Sequence, residues 1–228
     1  MKYNVNKVIP HKIQSDSISF CIFCKGRLKY ALVCIKNLIE YISDKDEIIF
    51  VDYSCPDNSG DVISSMQNEH INVIRVLNCD SWHINHARNC AGVNSSKDII
   101  VMLDCDIILN QNNVDEIRRL EQGYYLRSKL RGKGYDGFVA VFRSDYMAVC
   151  GYEEGICCYG HDDKAFYHSL DRLGLKCVRM NSTFNPMNNT MGEKIRFAPK
   201  SSLNNAIYRL LRKRHKYRNN VGRNWGRV

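Results

Sequence analysis

The chain has 228 residues, of which 44% are hydrophobic, and its 33 Lys and Arg exceed its 24 Asp and Glu to give a formal net charge of +9. This length and composition favour a single globular domain with one substantial core. No apolar run approaches the roughly 18 residues of a membrane-spanning helix, and the polar start MKYNVNKVIPHKIQSDS lacks a signal-peptide core, so we expect a cytoplasmic rather than an integral membrane protein.

The first quarter of the chain predicts strands that alternate with helices. ISFCIFC (18–24) is a continuous apolar run that predicts a buried strand, and YALVCIKNLIEYI (30–42) has apolar residues at helical spacing. EIIFVDYS (47–54) predicts a second buried strand, and the turn residues of CPDNSGD follow it. A short helix is expected over GDVISSMQN (60–68).

The same alternation continues toward the middle of the chain. INVIRVL (71–77) predicts a third strand, INHARNCAGVNSS (84–96) a helix and DIIVMLD (98–104) a fourth strand. Near-continuous apolar strands that alternate with helices predict an α/β fold with a mainly parallel sheet and helices on both of its faces.

Three aspartates fall at the carboxyl ends of these strands, where parallel sheets bind their ligands. Asp52 ends the second strand, and Asp104 and Asp106 flank Cys105 after the fourth. Two carboxylates at the mouth of a sheet are costly without a positive partner, so this pair could bind a Mg²⁺ or Mn²⁺ ion that also coordinates substrate phosphates. A helix N-cap or a solvated strand end is the alternative interpretation.

A second carboxylate pair opens a predicted helix in the segment GHDDKAFYHSLDRLG (160–174). Its apolar residues share one helical face, and Gly174 ends the helix. Asp162 and Asp163 therefore lie at the helix N-terminus, where the partial positive charge favours ionised carboxylates. From the residues alone, a capping pair is the simplest interpretation.

Eleven cysteines are spread through strand-like and helix-like segments instead of forming a small disulfide framework, so we expect reduced and mostly buried thiols. Cys21 and Cys24 have CxxC spacing, but they lie in an apolar run without a second pair at zinc-ligand spacing. We therefore favour a core role over a metal or redox role for these two.

The excess positive charge lies at the end of the chain, because nine basic residues and no acidic one occur from Lys200 onward. Within this part, LNNAIYRLLRKRHKYR places Leu203, Ile207, Leu210 and Leu211 on one helical face with cations over the rest. Three interpretations stay open: attachment to an anionic membrane surface, a solvated or core-docking helix, and nucleic-acid binding, which is the least favoured.

Four segments in order resemble the glycosyltransferases of the GT-A fold: ISFCIFCKGR, EIIFVDYSCPDNSGD, HARNCAGVNSSKDIIVMLDCDI and GHDDKAFYHSLDRLG. The resemblance is to the family 2 enzymes and to the branch of the β-1,4-galactosyltransferases and chondroitin-polymerase-type domains. It implies a Rossmann-like GT-A domain over 18–196, after an N-terminal extension (1–17) and before a basic amphipathic tail (197–228).

The resemblance also implies roles for individual residues. Asp106, with Asp104 beside it in the DxD pattern, would hold the Mn²⁺ or Mg²⁺ ion that bridges the diphosphate of a UDP-sugar. The residues implied to contact this donor are Phe23, Lys25, Arg27, Asp52, Arg88 and Asp104.

On the acceptor side, the resemblance implies that Asp163 deprotonates the acceptor hydroxyl while Asp162 and His161 contact the acceptor. Comparison with the galactosyltransferase branch alone shifts the base to Asp162, so both assignments stay open. Relatives often supply a metal-ligating histidine after this pair, and the matching stretch VRMNSTFNPMNNTMGEK contains none. A residue from Met187 to Asn189 could take its place, or phosphate and water could complete the coordination.

The implied function is a metal-dependent, inverting glycosyltransferase that builds a surface polysaccharide on a glycan or lipid-linked acceptor, with peripheral contact to the cytoplasmic membrane face through the tail. Two other classes stay open. A nucleotidyltransferase would also place acids beyond a sheet, although CKGRLKY is a poor match to its usual glycine-rich basic loop. A basic adaptor for RNA or membrane would leave both acid pairs unexplained.

Overall fold

The computed structural model describes residues 17–132, 134–157, 160–190, 192–193, 196–197, 204–213 and 217–228. Strands are β1 (Ile18–Cys24), β2 (Glu47–Tyr53), β3 (Ile71–Val76), β4 (Ile99–Asp104), β5 (Ile107–Ile108), β6 (Tyr124–Arg127), β7 (Phe138–Phe142), β8 (Lys176–Arg179) and β9 (Asn185–Pro186). Helices are α1 (Leu28–Ile39), α2 (Ser59–Ser64), α3 (Ile84–Asn94), α4 (Gln111–Arg118), α5 (Arg143–Ala148), α6 (Asp162–Leu173) and α7 (Asn204–Lys213), and a 3-10 turn spans Tyr135–Gly137.

Seven strands form one mixed sheet in the order β3-β2-β1-β4-β7-β6-β8. The first four are parallel, β7 runs antiparallel to both β4 and β6, and β6 is parallel to β8. The register pairs Cys24 with Asp52 and Phe23 with Asp104, so the carboxyl ends of β1, β2 and β4 meet at one edge. The predicted α/β fold with a mainly parallel sheet is confirmed.

The sheet is covered on both faces, as its continuous apolar strands predict. Along β1, Ile22 packs into the core that includes Ile35 of α1, whereas Phe23 packs into the opposite core with Ala87 of α3. Alternate side chains of a strand point to opposite faces, so both layers draw on the same strands.

The predicted strands of the first half agree with the structure to within one residue, and the differences lie at helix ends. Helix α1 ends at Ile39 instead of residue 42, and its last turn is completed by hydrogen bonds from Tyr41 and Ile42 to Leu38. Helix α2 ends at Ser64 instead of residue 68, and Gln67 adopts a left-handed conformation (φ +48°) that stops the helix.

A two-stranded ribbon lies beside the DxD segment. Its strands β5 and β9 are antiparallel, with Ile107 opposite Pro186 and Ile108 opposite Asn185. The backbone N–H of Met187 donates to the carbonyl of Asp106 at 2.7 Å. The ribbon therefore brings residues 187–189 to the end of β4.

The ten described cysteines are free, and seven of them are buried. Cys21 and Cys24 belong to the cores on opposite faces of the sheet. Residues three apart on a strand point to opposite sides, so the CxxC spacing does not bring these two thiols together.

The predicted tail contains two described parts. Helix α7 packs on α6, where Arg172 donates to the carbonyl of Leu211 at 2.8 Å, while Leu210 is 60% exposed. Leu203 of the predicted apolar face lies outside the described residues, as does the predicted N-terminal extension apart from Ser17. Among the described residues, no helix combines the length and the apolar character that crossing a membrane requires.

Residues 217–228 form the second part and pack against the domain. The buried side chains of Asn219 and Asn220 donate to the carbonyls of Gly151 (2.6 Å), Cys150 (2.9 Å) and Tyr152 (2.6 Å). The backbone N–H of Glu154 in turn donates to Asn220 at 2.9 Å. This segment is therefore hydrogen-bonded into the loop before α6.

Candidate active site

A cavity of about 510 Å³ opens at the carboxyl ends of the central strands. One wall carries Asp104 at the end of β4, and another carries Asp162 and Asp163 in the first turn of α6. The sheet edge and the N-terminus of α6 thus face the same space. Eight sequence-predicted site residues line it: Phe23, Lys25, Arg27, Arg88, Asp104, His161, Asp162 and Asp163.

Arg88 joins the two acid pairs. Its guanidinium donates to Asp162 at 2.6 Å and lies 3.1 Å from an oxygen of Asp163 and 3.4 Å from an oxygen of Asp104. Its side chain is only 2% exposed. Acidic residues that lie far apart in the sequence therefore share one buried cation.

Helix α3 presents Arg88 to this position. The helix is capped by His83, whose Nδ1 accepts the backbone N–H of His86. The guanidinium of Arg88 lies between two aromatic rings, 4.7 Å from the centroid of Tyr152 and 5.4 Å from that of Phe23. Burial alone lowers the pKa of Arg88, but Asp163 and the other nearby anionic groups outweigh it and raise this pKa, so the guanidinium stays charged.

Asp104 is the carboxylate of the DxD pattern that faces the cavity. Burial raises the pKa of Asp104 to about 6, with Arg88 acting in the opposite direction and Asp106 adding to the rise. Gly137 packs directly against it, since a Cβ at this position would lie 2.1 Å from Oδ2 of Asp104. Only glycine leaves room for the carboxylate there.

Asp106 lies deeper, and its residue is 1% exposed. It forms an ion pair with Arg27 at 2.8 Å and accepts a hydrogen bond from the side chain of Asn189. The Arg27 guanidinium also lies 5.1 Å from the ring centroid of Tyr30. Within the stretch from Met187 to Asn189, the side chain of Asn189 thus reaches the second carboxylate of the DxD pattern.

The carboxylates at the end of β4 provide some, but not all, of the ligands that a metal ion needs. Among the described residues, no three His, Cys, Asp or Glu side chains are grouped as metal ligands. Asp104 and Asp106 instead provide a small set of hard carboxylate oxygen atoms, and the side-chain amide of Asn189 donates to Asp106. Such a set fits a Mg²⁺ or Mn²⁺ ion whose remaining ligands are phosphates and water, and it does not fit an all-protein cage.

Asp163 differs from Asp162 in its surroundings. Asp162 makes the shorter contact to Arg88 and its side chain is 11% exposed, whereas the Asp163 side chain is 22% exposed. Burial raises the pKa of Asp163 well above its usual value, with Arg88 opposing this rise and Asp162 adding to it. Asp163 therefore binds a proton more readily than an ordinary carboxylate.

Comparison with known proteins identifies this arrangement. Residues 19–121 match the family model for Glycosyl transferase family 2. The structure is similar to Staphylococcus aureus TarS in complex with UDP-GlcNAc, with a TM-score of 0.67, 13% identity, and coverage of 86% of this chain and 65% of TarS 1–349. The chain therefore has the GT-A fold of these glycosyltransferases.

Two further structures share this fold. The Pyrobaculum calidifontis mannosyltransferase PcManGT has a TM-score of 0.66 at 13% identity, and the match covers 79% of this chain and 59% of that one. The catalytic domain of Drosophila β1,4-galactosyltransferase 7 has a TM-score of 0.64 at 16% identity, covering 88% of this chain and 82% of that domain. The chain thus spans less than two thirds of the length of PcManGT. No curated protein gives a significant sequence match.

Lys25 and Asp52 hold the backbone around the cavity through hydrogen bonds. Lys25 Nζ donates to the carbonyls of Tyr53 (3.1 Å), Ser54 (2.8 Å) and Cys79 (2.7 Å), which ties the loop after β1 to the loops after β2 and β3. Asp52 accepts the backbone N–H groups of Cys55 (2.8 Å) and Gly60 (2.7 Å).

Asp52 does not line the cavity, so the structure gives it the turn-forming role, and its predicted donor contact stays a prediction.

Arg127, Asp136 and Tyr167 are among the cavity residues that the sequence predictions did not include. The guanidinium of Arg127 lies 3.5 Å from the ring centroid of Tyr167 and 3.4 Å from an oxygen of Asp136. Tyr167 Oη donates to the backbone carbonyl of Asp136 at 3.0 Å. The density of cations and glycines in RSKLRGKG (127–134) is the sequence signal that could have drawn attention to this wall.

His161 lies at the mouth of the cavity, directly before α6. Its left-handed backbone (φ +67°) turns the chain into the helix, and its ring stacks on Tyr208 of α7 at 4.8 Å between centroids. Helix α7 therefore contacts the mouth of the cavity.

Proposed function

We propose that the chain is a metal-dependent, inverting glycosyltransferase that moves a sugar from a UDP-sugar to a hydroxyl of a glycan or lipid-linked acceptor in surface polysaccharide synthesis. The observation that carries this proposal is the convergence of Asp104 and Asp163 on Arg88 in one cavity. The similar structures include TarS with UDP-GlcNAc and the galactosyltransferase with manganese, UDP-Gal and xylobiose, which supports a UDP-sugar donor and a divalent cation.

The donor diphosphate would lie at the carboxyl end of β4, next to Asp104 and Asp106. Both are acidic and cannot hold a diphosphate directly, so Arg27 and a divalent cation held by these carboxylates would provide the positive charge. When bound, the cation stabilises the negative charge that develops on the leaving diphosphate. Phe23, with Trp82 beside it at 6.3 Å between ring centroids, provides an apolar surface for the nucleoside.

Asp163 is the better base of the acid pair. Its raised pKa moves it toward the working pH range, which favours proton transfer, and it is less tightly held by Arg88 than Asp162 is. Asp162, fixed by the 2.6 Å contact, is suited to position the acceptor, together with His161. We assign the base to Asp163 on this ground.

The proposed reaction is a single displacement. The acceptor oxygen attacks the anomeric carbon while its proton passes to Asp163, and the bond from that carbon to the diphosphate breaks to release UDP. Because the base and the diphosphate lie on different walls of the cavity, attack would come from the side opposite the leaving group. This geometry inverts the anomeric configuration without a covalent enzyme intermediate.

Peripheral attachment to the cytoplasmic membrane face remains part of the proposal. Helix α7 carries the exposed cations Arg209 and Lys213 beside the exposed Leu210, which supports contact with an anionic lipid surface. Through Tyr208 and His161, such contact would place the cavity mouth near a lipid-linked acceptor.

Nucleotide binding tests the proposed function. UDP with Mn²⁺ should raise the thermal unfolding midpoint, and UDP without metal should raise it less. Asp106→Asn should remove the metal-dependent part of the shift, whereas Asp115→Asn, on α4 away from the cavity, should retain it. Unchanged unfolding with UDP and Mn²⁺, together with salt-sensitive RNA binding, would favour the adaptor instead.

A screen for turnover separates the remaining enzyme classes. UDP-Gal, UDP-GalNAc, UDP-GlcNAc, UDP-Glc and UDP-GlcA would each be incubated with the protein and Mn²⁺ or Mg²⁺. Release of UDP from one of them supports the glycosyltransferase. Transfer of a nucleoside monophosphate with release of pyrophosphate would identify a nucleotidyltransferase.

A further inference from the structure

We propose that the acceptor carries an anionic group, a phosphate or a carboxylate, close to its reacting hydroxyl, and that Arg127 and Arg131 bind this group. The inference rests on the proposed function and names the substrate class of the same site. It depends on the wall of the cavity formed by β6, the loop after it and α6.

Arg127 lies beside the proposed base. Its guanidinium covers the ring of Tyr167 at 3.5 Å, and its side chain is 17% exposed. Tyr167 follows Asp163 by four residues, so the two share one face of α6 at a separation of about one helical turn, roughly 5.4 Å. A group bound by Arg127 would therefore lie close to a hydroxyl that Asp163 deprotonates.

This wall carries more positive than negative charge. Six cationic side chains and four carboxylates line the cavity. The three cations at its inner end already have partners within the protein. Lys25 donates to backbone carbonyls, Arg27 pairs with Asp106, and Arg88 pairs with three aspartates. The remaining cations are Arg127, Arg131 and Lys164.

The carboxylate of Asp136 has two partners on this wall. It contacts Arg127 at 3.4 Å and also accepts the backbone N–H of Gly132 at 3.0 Å. Within the part of the chain that the structure describes, no carboxylate pairs with Arg131. Asp136 therefore neutralises this wall only in part, and an anionic group would bind the remaining positive charge.

The loop after β6 leaves room for such a group. Gly132 and Gly134 both line the cavity, with left-handed backbones at φ +66° and +90°. A Cβ at Gly132 would meet no atom within 4 Å. Among the residues that the structure describes, none therefore fills the space beside Gly132 on this wall.

The donor diphosphate is an unsuitable partner for this wall. In the sheet, β7 separates β6 from β4, so Arg127 at the end of β6 is about 10 Å from the end of β4, given a strand spacing of roughly 4.8 Å. A diphosphate held at Asp104 and Asp106 would lie at the far side of that gap. The acceptor is the substrate that approaches the α6 end.

Binding of matched glycans tests the inference. The full chain, saturated with UDP and Mn²⁺, would be titrated calorimetrically with a hyaluronan tetrasaccharide for carboxylate, a glycerol phosphate tetramer for phosphate, and neutral chitotetraose. We expect at least one anionic probe to bind roughly tenfold more tightly than chitotetraose, with an affinity that falls as salt rises. Equal affinity for all three probes would overturn the inference.

Two variants locate the binding site. Arg131→Gln should lower the affinity for the preferred anionic probe by about tenfold, because one charge-assisted contact is lost, and should leave UDP affinity unchanged. The matched control is Lys129→Gln, which removes the same charge from the same exposed segment but outside the cavity lining, and should leave both affinities unchanged. Equal losses in the two variants would refute a specific site. Failure of the parent protein to bind UDP would contradict the proposed function instead.

Discussion

Arg88 lies 3.1 Å from Asp163 while fully buried between α3 and the start of α6. Burying either charge without the other would cost free energy, so each side chain depends on the other to stay ionised. The proposed catalytic arrangement and the stability of the fold therefore share one interaction.

Replacing Arg88 with Met should lower the free energy of unfolding by about 3–5 kcal/mol at pH 7, because three aspartates would lose their buried cation. Arg75→Met is the matched control. It breaks an exposed pair with Asp61, whose side chains are 42% and 71% exposed, and should cost at most about 1 kcal/mol. Urea unfolding of the three proteins measures both values.

The loss in Arg88→Met should also depend on pH. Burial already raises the pKa values of Asp104 and Asp163 in the folded protein, and removal of the cation raises them further. A carboxyl whose pKa is raised by folding favours the folded state below its unfolded pKa, and this contribution is lost as pH rises through the folded pKa. The difference between variant and parent should therefore be smaller at pH 5 than at pH 7, and an equal difference at both would argue against this explanation.

Asp163→Asn should reduce sugar transfer by about 10²–10⁴-fold while UDP affinity stays within about twofold, because the amide cannot accept the acceptor proton. Asp162→Asn should instead weaken acceptor binding and retain more of the maximal rate. Steady-state kinetics with the donor found in the screen, combined with UDP titration, separates the two. Normal transfer by Asp163→Asn would move the base to Asp162.

Gly137→Ala should weaken binding of UDP and Mn²⁺ by displacing the carboxylate of Asp104, which a Cβ would meet at 2.1 Å. The matched control is Gly192→Ala, where the nearest atom would lie 3.8 Å from the added Cβ. Both glycines have backbone angles that alanine can adopt, so the comparison isolates the clash. Calorimetric titration should show weaker binding only for Gly137→Ala.

Metal binding should weaken as pH falls below about 6. Burial raises the pKa of Asp104 to about 6, and the carboxyl must lose its proton before it can bind a cation. We expect the affinity for Mn²⁺ in the presence of UDP to fall by up to about tenfold per pH unit below this value and to level off above it. Titrations from pH 5 to pH 8 measure this, and a flat profile would remove Asp104 from the metal site.

Much of the parallel half of the sheet, β3-β2-β1-β4, could be predicted from the sequence because its signals are local. Strands β1, β2, β3 and β4 are apolar runs bounded by turn residues, and their parallel order places Asp104 at the sheet edge. Strand β7 is equally apolar, yet its antiparallel place between β4 and β6 depends on pairing with distant strands.

The site was predictable where a strand end, a helix start or the family resemblance marked its residues. Asp162 and Asp163 open a helix that the sequence marks clearly. The contacts of Arg127 with Tyr167 and of Gly137 with Asp104 arise when separate elements approach each other, and neither pattern is visible along the chain. Asp52 differs from these residues, because the resemblance predicts a donor contact for it. In the structure its carboxylate oxygens accept hydrogen bonds from backbone N–H groups.

The asparagines of the segment 217–228 have a consequence for dividing the polypeptide into pieces. A fragment cut at residue 196 would leave the carbonyls of Cys150, Gly151 and Tyr152 without the amides of Asn219 and Asn220. The loop released in this way leads directly to the acidic turn of α6. Trimming that stretch to improve crystals or expression would therefore damage catalysis before it damaged the central sheet.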